Sequence, residues 1–146
     1  MVSEGFDVGI RIARLEDSSL IARKIAPCKQ AFCASPDYFR KNDAPEAPAD
    51  LALHPCLIYT NDLKPDTWTL HGAKGAQSIK VGPVCADNGE ILKAAAISGP
   101  GITRLSTFIV GPDINAGRLQ QVLTEYCPRK FQFMLFFLHG VIYRRR

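Results

Sequence analysis

No stretch of this sequence reaches the roughly 18 uninterrupted apolar residues that a membrane-spanning helix needs. The longest candidate, Phe131 to Tyr143, is broken by Gln132, His139 and Gly140. The first seven residues hold two acids, no base and no apolar run, so they do not read as a secretory signal. Five cysteines are present (Cys28, Cys33, Cys56, Cys85 and Cys127), but none forms a Cys-x-x-Cys pair. An odd, scattered set argues against a disulfide framework or a zinc ribbon. Each is expected to be a reduced, space-filling core residue, which suits a cytoplasmic protein. A large charge of one sign is also missing from most of the chain. Residues 1–128 hold thirteen basic and fourteen acidic side chains, a formal charge of −1, whereas 129–146 hold five basic and no acidic ones. The pI of 8.9 therefore belongs to the tail. A nearly neutral body lacks the footprint of a nucleic-acid binder. There is no internal repeat and no low-complexity segment. What remains is a chain of 146 residues, 47% hydrophobic and 22% charged, which is about one soluble globular domain.

Along that chain, Phe6, Val8, Ile10 and Ile12 alternate with polar or small residues, the period of a half-buried strand. Arg14 to Ser19 reads as a turn. Leu20 to Ile25 and Lys29 to Ala34 read as strands separated by Pro27. Ser35-Pro36-Asp37 has the cap, the N1 proline and the acid of a helix start, with Asn42 as its end. Pro45 and Pro48 open a second short helix that Pro55 stops. Cys56 to Tyr59 is a brief strand, and Trp68 to His71 with Ser78 to Val81 is a hairpin. Asp87-Asn88-Gly89-Glu90 begins the clearest helix, with Asp87 and Glu90 spaced as a capping box. Ile91, Ala94, Ala95 and Ser98 form its expected packing face, and Gly99-Pro100 its end. A strand over Ile102 to Leu105 precedes a helical stretch capped by Ser106 or Thr107, interrupted at Gly111-Pro112 and closed by Gly117. Leu119 to Leu123 is a last strand. Alternating strands and helices imply an α/β domain.

Several chemical constellations can be weighed on these elements. Cys33, His54 and Asp37 could be imagined as nucleophile, base and orienter, but no local signature supports them. Cys28, Cys33, His54 and Cys56 have irregular spacings for a metal, and buried thiols with a surface histidine are the simpler reading. Gly72-Ala73-Lys74-Gly75 lacks the phosphate-loop pattern, and Gly99-Pro100-Gly101 follows a helix instead of opening one. No catalytic residue, metal site or cofactor is expected. Trp68 is expected in the core. The start at Asp87-Asn88-Gly89 could offer free N–H groups to an anion or a polar oxygen, with Gly89 allowing close approach. On the residues alone a plain cap is the simpler reading. Arg11, at the end of the first strand, could pair with a carboxylate or simply face solvent.

An ordered set of segments carries a family likeness. Phe6-Asp7-Val8-Gly9-Ile10-Arg11-Ile12, Ser19 to Ile25, Cys33 to Tyr38, Pro48-Ala49-Asp50-Leu51, His54-Pro55-Cys56-Leu57, Asp87 to Glu90, Gly99 to Leu105 and Gly117-Arg118-Leu119 together resemble the effector-binding domain of LysR-type transcriptional regulators. The likeness runs from residue 5 to about 127. It implies an α/β, periplasmic-binding-protein-like (type 2) effector domain, with one lobe nearly complete and the other partial. Residues 1–21 would be the end of lobe one, 22–122 lobe two, and 123–146 a divergent C-terminal segment. Ser106 stands where the family usually has proline. The likeness further implies ligand sensing without enzymatic activity and a small-molecule effector, for which an organic acid would suit Arg11. Effector contacts would fall at Arg11, Ile12, Ala13, Asp87, Asn88 and Gly89. Homo-oligomers are implied, and DNA contact only through a helix-turn-helix outside this sequence. A free-standing binding module without a DNA partner is the alternative. The apolar 131–143 segment is expected to pack on an exposed edge, pair with another chain or aggregate.

Overall fold

A computed structural model describes residues 8–13, 21–62, 64–126 and 131–137, with side chains over 28–62 and 64–126. The expected turn at Arg14–Ser19 and the tail beyond residue 137 lie outside the described residues, as does Cys127. The chain divides into two compact units, Met1–Cys28 with Lys130–Arg146, and Lys29–Arg129.

The smaller unit is a three-stranded antiparallel sheet of β1 (Val8–Ala13), β2 (Ile21–Cys28) and β10 (Phe131–Phe137), in the order β1-β10-β2. Two sequence expectations change here. Strand β2 runs on through Pro27, which stands opposite Gln132. Among the described residues β2 is an edge strand, where a missing ladder donor is tolerated. The apolar run at 131–137 is not on an edge. It is the central strand, paired with β1 on one side and β2 on the other, with a register irregularity at Phe133/Met134.

The larger unit is built on a five-stranded sheet of β3 (Gln30–Ala34), β4 (Cys56–Tyr59), β7 (Pro83–Ala86), β8 (Ile102–Ser106) and β9 (Gln120–Val122), in the order β7-β4-β8-β3-β9. Strands β7, β4 and β8 are parallel, whereas β3 is antiparallel to both its neighbours. Strand β3 shows why the sheet is covered on both faces. Ala31 and Cys33 join the cluster of Leu57, Leu92, Ala96, Leu105 and Val110 beneath α2 (Gly89–Ser98) and α3 (Thr107–Asn115). Phe32 and Ala34 point the other way, into Tyr38, Leu51, Cys56, Trp68 and Ile102. That second face is closed by α1 (Pro36–Lys41), a 3-10 segment at Pro48–Leu53 and the hairpin of β5 (Thr67–Gly72) and β6 (Gly75–Lys80). Trp68 is 1% exposed, as expected of a core residue.

Helix α1 begins and ends where the sequence places it. Ser35 Oγ accepts from the Tyr38 N–H and Asn42 closes the helix. Helix α3 departs from expectation. Gly111-Pro112 does not interrupt it, because tertiary contacts hold its C-terminal half. Val110 and Asp113 are buried, and the Asp113 carboxylate meets Arg118 Nε at 2.6 Å and Lys93 Nζ at 3.6 Å. The packing face of α2 is also shifted by one residue. Leu92 and Ala96 are buried, while Ile91 is exposed. Cys28, Cys33 and Cys56 are buried, but Cys85 on the outer strand β7 is exposed, against expectation.

Candidate functional site

The connectivity of the larger unit selects one edge of its sheet. Strand β4 lies between its two parallel neighbours β7 and β8, and the chain crosses from β7 to β8 through α2. Such a reversal leaves an opening beyond the carboxyl ends of the strands, where ligands of open α/β sheets bind. Those ends are Tyr59, Ala86 and Ser106. Helix α2 starts just after β7 and α3 directly after β8, so both helix N-termini open onto this edge.

The start of α2 is organised by Asn88, not by the capping box expected from Asp87 and Glu90. Asn88 is extended (φ −128°, ψ 123°), and its Oδ1 accepts from the Glu90 N–H at 2.8 Å and the Ile91 N–H at 3.4 Å. A short amide side chain at this position satisfies donors that the helix cannot. Glu90 turns to Lys93 Nζ at 2.6 Å instead, a pairing that holds the Lys93 ammonium above its ordinary range. The Asp87 carboxylate is therefore not committed to the cap. Its backbone carbonyl accepts from Asn61 Nδ2 at 3.2 Å, and the Thr60 N–H donates to the Ala86 carbonyl at 3.0 Å. These two bonds tie the loop after β4 to the helix start. Asn61 carries no signal in the sequence beyond following an apolar strand. Gly89 has a packing reason for its identity: a Cβ there would meet Ile109 Cδ1 at 3.0 Å.

The other candidates fall elsewhere. Arg11, Ile12 and Ala13 lie on β1 in the other unit, paired with Met134, Phe133 and Gln132. Cys33 packs under α2 and α3, whereas His54 and Cys56 lie on the opposite face of the sheet, so neither the imagined triad nor the cysteine–histidine set is brought together. His54 is not a plain surface residue. It is half-buried, and its Nδ1 is 2.7 Å from the Tyr38 hydroxyl. Burial pushes both the Cys33 and Cys56 thiols up to about 12, with the nearby Asp113 carboxylate adding to the effect at Cys33. Both stay protonated at neutral pH and are poor nucleophiles. A cavity of about 330 Å³ lined by Ser35, Asp37, Arg40 and Arg118 lies at the opposite edge of the sheet. Its charges are already paired, Arg40 with Asp37 and Arg118 with Asp113.

A mixed α/β sheet with three parallel strands, a switch point and a capped helix opening beside it has the architecture of a small-molecule binding lobe. Residues 1–140 match the family model of the LysR substrate binding domain, and the chain belongs to that family. The match extends past the point near residue 127 where the family pattern was expected to end. An uncharacterised HTH-type transcriptional regulator of Haemophilus influenzae is 35% identical over 147 residues, covering all of this chain and 49% of that protein. The HTH-type transcriptional regulator DmlR of Escherichia coli is 38% identical over 86% of this chain and 42% of its own length. The regulatory domain of CrgA, a LysR-type transcriptional regulator from Neisseria meningitidis, superposes with a TM-score of 0.81 at 34% identity, covering 94% of this chain and 68% of that one. The fold is thus the periplasmic-binding-protein-like type of LysR regulatory domains. The chain spans about half the length of the curated relatives it matches. Among the described residues no helix is long and apolar enough to cross a membrane.

Proposed function

We propose that this chain is the effector-sensing part of a cytoplasmic, homo-oligomeric LysR-type regulator, with no enzymatic activity and no membrane partner. DNA is contacted only through a helix-turn-helix that belongs to the whole regulator. One observation carries the reading: the Asn88-capped start of α2 opens at the carboxyl edge of the sheet, at its switch point. The proposed effector contacts there are Asp87, Asn88 and Gly89. The uncommitted Asp87 carboxylate disfavours an anionic group against this helix start, so a neutral polar oxygen is the part of the effector that docks here. Arg11, Ile12 and Ala13 are proposed as contacts in their own right, with Arg11 as the partner of a carboxylate on a small organic acid. The lobe division, with 1–21 in lobe one, 22–122 in lobe two and 123–146 as the following segment, is part of the same reading.

The test is an NMR titration of the chain with a panel of small aliphatic and aromatic carboxylates. Binding should shift the Glu90 and Ile91 amides and the 11–13 amides. Asn88→Ala should lower the affinity for any ligand found. It should also cost about 1 kcal/mol of stability through the lost cap. Shifts confined to other residues, or unchanged affinity in Asn88→Ala, would reject the helix start as the contact.

A further inference from the structure

Among the described residues, two buried side-chain atoms have no hydrogen-bonding partner, Gln30 Oε1 and Arg104 Nε. They are neighbours through strand register. Gln30 stands opposite Ser106 and Phe32 opposite Arg104 across β3 and β8, so Gln30 and Arg104 are diagonal positions on one face of the sheet. It is the face away from α2 and α3. There the Arg104 guanidinium lies 5.4 Å from the centroid of the Trp68 ring, and Trp68 in turn packs against Phe32 at 5.6 Å. The Arg104 side chain is only 9% exposed, and its charge is already met by Asp62, with Nη2 2.7 Å from Oδ2.

What is left over is one N–H donor on Arg104 and one carbonyl acceptor on Gln30. Buried polar atoms almost always have partners, so unpartnered atoms of opposite kind on diagonal positions of one sheet face select a guest that serves both. A carboxylate has no hydrogen for Gln30 and would bring a second negative charge beside Asp62. An ammonium has no lone pair for Arg104 and would face its positive charge. An O–H group fits both: its oxygen accepts from Arg104 Nε and its hydrogen is donated to Gln30 Oε1. We propose that Arg104 Nε and Gln30 Oε1 form a buried subsite for one hydroxyl oxygen, supplied by an internal water or by the hydroxyl of a small organic ligand. This does not depend on the reading of the α2 start, which lies across the sheet.

The whole chain carries its own reporter, because Trp68 is its single tryptophan. The experiment follows the Arg104 Nε–H by ¹⁵N NMR and Trp68 by fluorescence, in buffer, then with glycolamide, a neutral hydroxyl compound, then with acetamide, which lacks only the hydroxyl. A water cross-peak to the Arg104 Nε–H that persists in glycolamide supports the subsite with water as its occupant. Loss of that cross-peak, with a Trp68 emission change in glycolamide but not in acetamide, supports the ligand hydroxyl. No cross-peak and no difference between glycolamide and acetamide overturns the proposal. Gln30→Met removes the acceptor at similar length and should abolish whichever signal is seen, with a native amide spectrum confirming the fold. A signal that survives in folded Gln30→Met also overturns it.

Discussion

At Gly101 the backbone of the β8 approach runs so close to the turn before β4 that a Cβ would fall 2.2 Å from the Pro55 carbonyl oxygen. The same carbonyl accepts the Ile102 N–H at 2.9 Å, so relief by movement would break the bond that starts the strand pairing. Gly101→Ala should therefore sit among the more severe single substitutions, about 3 kcal/mol or more in denaturant unfolding. Asp113 sets a pH dependence. Its hydrogen bond to Arg118 holds the carboxyl below the usual range, against the opposing pull of burial. A carboxyl depressed on folding contributes stability that is fully present above its unfolded value of about 3.9 and lost as pH falls through the lower folded value. Asp113→Asn should accordingly lower the melting temperature at neutral pH, and the gap to the parent chain should close as melts are run progressively below about pH 4. A gap that stays constant into acid would show that the lost charge is not its cause. Part of this scale is legible in sequence. Trp68 in the core and Ser35 and Asn42 at the ends of α1 follow from local chemistry. Asn88 against Asp87 does not, because either residue can cap, and the choice is made by where β7 releases the chain. Arg104, Asn61 and the pairing of Lys93 with Asp113 depend on contacts distant in sequence, which no local pattern encodes.

Elements are more legible than residues where alternation or capping is strong, as in β1, β4, α1 and the β5–β6 hairpin. Strand β7 escapes notice because Pro83, Val84 and Cys85 are exposed on an outer strand, so no inside–outside alternation marks it. Prolines mislead in both directions. Pro27 is accommodated by an edge and Pro112 by a packed helix end, and each is a tertiary override of a local breaker. The run at 131–137 misleads most. Its composition suggests an unprotected surface strand, yet its backbone is paired on both sides. Removing 129–146 should therefore not cure a liability. It should leave β1 and β2 without the strand that joins them, so hydrogen exchange at residues 8–13 and 21–28 should rise to near the unprotected rate, while residues 30–34 and 102–106 keep their protection. Protection of 8–13 that survives the deletion would contradict the pairing.

On the scale of the molecule, the larger unit holds its sheet, both covering layers and the proposed helix-start contact within a continuous stretch, Lys29–Arg129. The charge of the chain is distributed differently, with the net positive balance confined to 129–146. The isolated chain should bind no DNA sequence specifically. A gel shift should show at most a weak association that disappears as salt is raised toward physiological strength, as expected of a few phosphate contacts. A sequence-dependent shift that survives that salt would refute it.

The central place of β10 has a consequence for how the protein comes into being. Of the described strands a ribosome releases β1 and β2 before all the others, and neither meets its only described neighbour until residues 131–137 have emerged. At about 5–20 residues per second, the intervening hundred residues take on the order of five to twenty seconds to appear. During that interval the larger unit can finish folding while the first two strands wait. Among the described strands, the smaller unit waits for the one made last.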